Sequence, residues 1–197
     1  MDYALLLANI GRHIELTKAE QAVFTALLRP RAVRRRQYVV QAGEPCQYET
    51  FVVRGCLRAY YVDANGFEHN LMFAVEDWWT GDLLSFLTGA PASLNVEALE
   101  DSEVLQLDKS ALEQLYAQVP KFERYFRLMI QNAFVAQQQR IVSALSASAE
   151  ERYHAFRRRY PALEQRLPQR HIASYLGITP EFLSKLRKQV LHDKRKP

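Results

Sequence analysis

The stretch Gln169–Lys188, QRHIASYLGITPEFLSKLRK, constrains this chain more than any other. Ile172, Ala173 and Leu176 share one side of a first helix, and the small Ala173 lets a second helix approach closely. Gly177 stands where that helix should stop, supplying a positive φ for the turn. Thr179 then offers an N-cap hydroxyl, and Pro180 occupies the first helical position, where no amide hydrogen is needed. Leu183, Leu186 and Val190 recur at helical spacing and predict the buried side of the second helix. Glu181, Ser184, Lys185, Arg187 and Lys188 are left outside. The pattern is a helix-turn-helix with a polar, basic outer face, suited to a DNA major groove. A plain helical hairpin with a solvated charged face would also leave charges outside, but it would not need Gly, cap, Pro and Leu in this order.

Charge is distributed to match. Residues 151–197 hold 12 Lys and Arg against 4 Asp and Glu, whereas residues 1–150 hold 14 against 18. A basic module that follows phosphates, joined to an acidic module with another task, gives this asymmetry. The 48% apolar content can supply a core. No apolar run approaches the roughly 20 residues of a membrane helix. The start, MDYALLLANIGRHIEL, lacks a basic region before its apolar residues and predicts an amphipathic helix rather than a signal peptide. Cys46 and Cys56 are then expected as free thiols in a reducing cytosol. Neither they nor the five histidines show metal-ligand spacing, so no metal or cofactor is expected.

Helices are predicted over residues 2–10 and 17–29, the second opened by a Thr17–Glu20 capping box and ended by Pro30. Arg34-Arg35-Arg36 is short and far from the helix-turn-helix, and reads as solvated charge leading into a strand rather than as a nucleic-acid patch. Short strands follow around Tyr38–Val40, Glu49–Val53 and Leu57–Val62, with Asn65-Gly66 turning the chain into Phe67–Phe73. His69 lies in that alternation and reads as a strand residue, not a ligand. After a short helix at Leu83–Leu87, strands at Leu94–Leu99 and Val104–Leu107 bring the number to about eight. A helix at 109–118 precedes a long one from about Lys121 to Leu145. On it Phe122, Phe126, Met129, Ile130, Ala133, Ala136, Gln137 and Ile141 form a partly apolar seam, available both to the chain's own core and to a second copy. A second capping box, Ser148–Glu151, opens a helix through Arg159. The triplet Arg157-Arg158-Arg159 at its end is either a phosphate contact or a solvated face. The expected fold is α+β: an antiparallel β-roll flanked by helices over residues 1–118, a long dimerisation helix over 119–146, and an all-α helix-turn-helix domain over 147–197.

This order of parts resembles the Crp/Fnr family of bacterial transcription regulators over nearly the whole chain. Gly43-Glu44, Phe51-Val52-Val53 with Gly55, Gly81-Asp82-Leu83 and Glu97-Ala98-Leu99-Glu100 are similar to the family's roll motifs. Ile172-Ala173, Leu176-Gly177 and Thr179-Pro180-Glu181 are similar to its helix-turn-helix. The resemblance implies a ligand pocket built on Gly81, Asp82, Leu83, Ala92 and Ser93. Relatives that bind cyclic AMP carry an Arg-Ser pair there, the arginine on the cyclic phosphate, and a glutamate on the ribose. Here Asp82 replaces the glutamate and Ala92 stands at the arginine position. Loss of such a charge-assisted partner costs roughly 2–5 kcal/mol, so weak or absent cyclic AMP binding is expected and another effector remains open. An iron–sulfur sensor is not expected with two cysteines. The family's C-terminal wing is not expected after His192, and the basic tail is expected to touch phosphate or to be disordered. Pro180 replaces an arginine that some relatives use on guanine.

The resulting expectation is a homodimeric regulator that binds double-stranded DNA and, by resemblance, RNA polymerase. Glu181 is placed to accept from cytosine N4 and Lys185 to donate to guanine; Thr179 and Ser184 are placed to meet a base edge or a phosphate, and Arg170, Arg187 and Lys188 to hold the backbone. The competing expectation is a small-ligand sensor whose helix-turn-helix serves protein contact. An enzyme is not expected: no nucleophile–base pair, metal spacing or Gly-rich phosphate loop is present, and pairing Asp82 with His69 has no support in spacing.

Overall fold

A computed structural model describes residues 3–193, with side chains described as far as residue 189. The expected burial of Val190 and the expected role of the basic tail from Lys194 therefore lie outside the described residues. Two helices, α1 (Ala4–Gly11) and α2 (Lys18–Leu27), open the chain. The capping box forms as the sequence predicts: Thr17 Oγ1 accepts from the Glu20 amide at 3.2 Å, and the Glu20 carboxylate accepts from the Thr17 amide at 2.7 Å. The helix stops two residues earlier than expected, because Arg29–Val33 is drawn into β1. Pro30 lies within it, on the outermost strand of its sheet, where a missing amide hydrogen is tolerated.

Seven more strands follow: β2 (Tyr38–Val40), β3 (Tyr48–Arg54), β4 (Leu57–Val62), β5 (Glu68–Ala74), β6 (Trp79–Thr80), β7 (Asn95–Ala98) and β8 (Ser102–Asp108). They make two four-stranded sheets, ordered β1-β8-β3-β6 and β2-β7-β4-β5. Consecutive strands β3 and β4 belong to different sheets, and Gly55 makes the transfer. Its φ is +106°, and a Cβ there would sit 2.2 Å from Ser102 Oγ, so a side chain is excluded both by the backbone and by space. Phe51 and Val52 of β3 and Val104, Leu105 and Leu107 of β8 are all fully buried. Neighbouring residues of one strand point to opposite faces, so the middle of this sheet is covered on both sides.

Helix α3 (Leu83–Thr88) interrupts the strands; α4 (Lys109–Gln118) and the long α5 (Lys121–Ser146) follow them. Leu6 and Ile10 of α1, Phe24 of α2, Leu115 of α4 and Phe122, Tyr125 and Phe126 of α5 join the strands in one core. Phe122 and Phe126, expected on a seam shared by the chain's own core and a second copy, lie in the chain's own interior, with Met129 packed at its edge. Helices α6 (Ala149–Arg159), α7 (Leu163–Arg166), α8 (Gln169–Leu176) and α9 (Pro180–Asp193) complete the described chain.

Packing divides these elements into two units. One contains the chain up to Tyr61 together with Leu71–Ala133; the other contains Val62–Asn70 and everything from Phe134 onward. The boundary between the units falls within the long helix, between residues 133 and 134, and Val62–Asn70 at the β4–β5 hairpin is grouped with the C-terminal helices.

Candidate nucleic-acid interface and cassette

The C-terminal unit has its own small core of Tyr153, Phe156, Tyr160, Leu163, Ile172, Ala173, Leu176, Leu183 and Leu186. Gly177 closes α8 in the left-handed region at φ +65°, and the Ile178 amide donates to Ala173 O at 3.0 Å. Thr179 Oγ1 accepts from the Phe182 amide at 3.2 Å, starting α9 behind Pro180. The turn is therefore fixed by the residues that predicted it.

Arg170, Thr179, Pro180, Glu181, Lys185 and Lys188 are exposed, and Ser184 is half-buried. Among the described residues, Lys185 and Lys188 meet no carboxylate. Arg187 is different. Its Nε lies 3.5 Å from Glu164 Oε1, on the inner side of α9, so its charge is turned toward its own domain rather than toward an open face. Glu164 also takes Arg157 Nε at 2.9 Å and the Tyr153 hydroxyl. Of the arginine triplet, Arg157 is spent there, while Arg158 and Arg159 remain exposed. Two exposed residues of α9 escaped the polar pattern in the sequence: Phe182, at 44% exposure, and Gln189.

Within the same unit, α8 is tied to the hairpin. The Asn70 amide donates to Ser174 Oγ at 3.0 Å, Ser174 Oγ donates to Glu68 O at 2.6 Å, and Asn70 Nδ2 donates to His171 O at 3.0 Å. Arg140 of α5 donates to Asn70 O at 2.7 Å and to Tyr175 O at 3.2 Å, with its guanidinium 4.2 Å from the Tyr175 ring centre. None of these residues carries a sequence signal, since each matters only through a partner distant in the chain. His69 is a strand residue as expected, its Nε2 2.8 Å from Asp63 Oδ2.

The N-terminal unit contains the cassette, the residues of the expected ligand pocket: Gly81, Asp82, Leu83, Ala92 and Ser93. Asp82 is buried at 3% exposure and caps α3 by accepting from the Ser85 amide at 3.1 Å. Its other oxygen accepts from the Ser93 amide at 2.9 Å, Ser93 Oγ at 3.3 Å and the Leu94 amide at 3.1 Å. Burial pushes this carboxyl's pKa up, but the donors together outweigh burial and hold it below the usual aspartate range. Ala92 is buried, and its backbone is bonded on both sides: its amide to Glu44 O at 2.9 Å, and its carbonyl to the Gly43 amide at 2.8 Å. Leu83 is exposed. Glu49 Oε1 is enclosed without a hydrogen-bond partner and would lie 2.9 Å from a Cβ on Gly81, so glycine there leaves room for the carboxyl. Burial, then the charge of Asp82, pushes Glu49 up to about 7.

On α5, Ile130, Phe134, Val135, Ile141, Val142 and Leu145 are exposed, and Leu145 reaches 84%. At about 100° per residue, this stripe is centred roughly 140° round the helix from Phe122, Phe126 and Met129. Ala133 and Gln137 are exposed beside it. Among the described residues, no helix is long and apolar enough to cross a membrane, and no cluster of three or more His, Cys, Asp or Glu side chains is placed to hold a metal. Cys46 and Cys56 are buried and form no disulfide.

The chain matches the cyclic nucleotide-binding domain over residues 30–119. It is 26% identical over 171 residues to the fumarate and nitrate reduction regulatory protein of Vibrio cholerae, a match covering 80% of this chain and 67% of that one. It shares its fold with FixK2 from Bradyrhizobium japonicum (TM-score 0.73, 21% identity, covering 85% of this chain and 86% of FixK2). A transcriptional regulator assigned to the Crp/Fnr family from Eubacterium rectale superposes at TM-score 0.69, with 16% identity, covering 90% of this chain and 85% of that one.

Proposed function

We propose that the chain is a DNA-binding transcription regulator of the Crp/Fnr kind, acting as a homodimer on a palindromic site without control by cyclic AMP. The observation that carries the DNA reading is the open face of α9, held by Gly177 and Thr179 and presenting Glu181, Lys185 and Lys188 to solvent. Two such helices enter successive major grooves about 34 Å apart. Lys185 donates to a guanine edge and Glu181 accepts from a cytosine amine, while Lys188, Arg170 and Arg158 meet phosphates. The protein works in the cytosol beside RNA polymerase.

Dimerisation through α5 is supported by its uncovered apolar stripe, since soluble monomers rarely leave so many large side chains contiguous in water. Independence from cyclic AMP is supported by Asp82. The Ser93 and Leu94 donors, at the place where the family's resemblance puts the phosphate, already hold a carboxylate. A phosphate would have to displace that carboxylate with no arginine to compensate for it.

The test is selection of bound duplexes from a random pool, with and without cyclic AMP, together with the solution mass of the protein. A palindrome enriched equally in both arms, by a dimer, is the expected result. Enrichment only with cyclic AMP overturns the reading of the cassette, and enrichment of a single half-site by a monomer overturns the dimer.

A further inference from the structure

Phe182 is the large apolar side chain exposed on α9 among the described residues, at 44% exposure. It is not placed there by a loose helix end: its own amide is bonded to Thr179 Oγ1 at 3.2 Å, which fixes the first turn. The residues after it, Leu183 and Leu186, supply the buried side at 0% and 4% exposure, so Phe182 is not needed to hold α9 down. At about 100° per residue it lies roughly 60° round the helix from Lys185 and 100° from Glu181, on one shoulder of the open face. It also stands near the N-terminal end of α9, the part of a recognition helix that reaches base edges.

Base edges in the major groove present donors, acceptors and one methyl group, on C5 of thymine, and a phenyl ring has no hydrogen bond to offer the others. We propose that Phe182 is a specificity-determining residue that packs on a thymine methyl, in the base pair next to the one met by Lys185. The assignment rests on the DNA reading above and deepens it: polar residues of α9 select by hydrogen bonds, and Phe182 selects by apolar contact.

The test uses the full-length protein and a duplex selected from a random pool. Each thymine of the half-site is replaced in turn by deoxyuridine, which removes only the methyl. Wild-type affinity is expected to fall about fourfold at one thymine per half-site, the worth of one buried methyl-sized group. Phe182→Ala is expected to bind the thymine and uracil duplexes equally, while its unchanged melting temperature shows that it folds. A wild-type protein indifferent to every methyl overturns the proposal without any variant. A Phe182→Ala protein that still distinguishes thymine from uracil at the same position overturns it too. If the pool yields no enriched sequence, the DNA reading itself has failed, a result distinct from either of those.

Discussion

The cassette and the helix-turn-helix each start a helix from a side-chain cap, Asp82 for α3 and Thr179 for α9, and on the proposed reading each deals with an anion, in opposite ways. In the cassette the cap is itself an anion, buried, and its second oxygen takes the donors of Ser93 and Leu94. In the helix-turn-helix the cap is neutral, and Lys185 and Lys188 of α9 are exposed to solvent. A charged cap closes an anion site from within; a neutral cap leaves the neighbouring charges for a partner. One carboxylate thus separates a filled set of donors from an open basic face built from similar parts.

The largest way to break this contrast is Asp82→Ala. It orphans buried amides and uncaps α3, and should cost about 2–4 kcal/mol of stability at neutral pH. The variant should also be stabilised by millimolar sulfate more than the wild type is, because the nest of Ser93 and Leu94 donors is then open. Since the Asp82 pKa is lowered on folding, its contribution is present above the unfolded carboxylate range and disappears as pH falls through the lower folded value. The gap in melting temperature between wild type and variant should therefore close in acid. Equal melting at pH 7 and no response to sulfate would mean that the nest is not filled as described.

On the other side of the comparison, Lys185→Ala should weaken binding to the selected duplex by about 1–3 kcal/mol and relax preference at one base pair per half-site. Titration against operator variants reads this directly, and an unchanged preference profile removes Lys185 from base reading. Glu49→Gln sharpens the account of the cassette. The Glu49 pKa is raised from an ordinary 4.5 to about 7 in the folded protein, so its ionisation destabilises the fold progressively as pH rises from about 4.5 to 7. The amide should stabilise on the order of 1 kcal/mol or more at pH 8 and be neutral near pH 4; stability unchanged at both pH values would contradict the enclosed carboxyl. The smallest effect separates two neighbours on α9. Lys188→Ala should lower the salt dependence of DNA binding by about one phosphate contact, whereas Arg187→Ala, already paired with Glu164, should leave the slope unchanged.

Much of this was legible in the sequence wherever the cause was local. Both capping boxes, the Gly177 turn, the Thr179 cap and the chain reversal at Asn65-Gly66 depend on residues within a few positions of one another. Strand β1 was not legible, because a Pro-containing, Arg-rich segment becomes a strand only through pairing with β8, some seventy residues later. Arg187 looked free because Glu164 is two helices away, and Phe182 looked unremarkable because the reading of the outer face followed charge alone. Asp82 is the instructive case. Its substitution for glutamate was visible, but its use as an internal anion depended on donors in a loop eleven and twelve residues on.

By itself, then, the sequence determined the helix-turn-helix, the roll class and the basic and acidic halves, since turn chemistry, periodicity and composition act at short range. Only the tertiary structure decided which face of α5 is core, which cations of α9 are spent within the domain, and whether the cassette is open. Each of those depends on which distant group arrives within hydrogen-bonding or van der Waals reach, and spacing along the chain does not encode that distance.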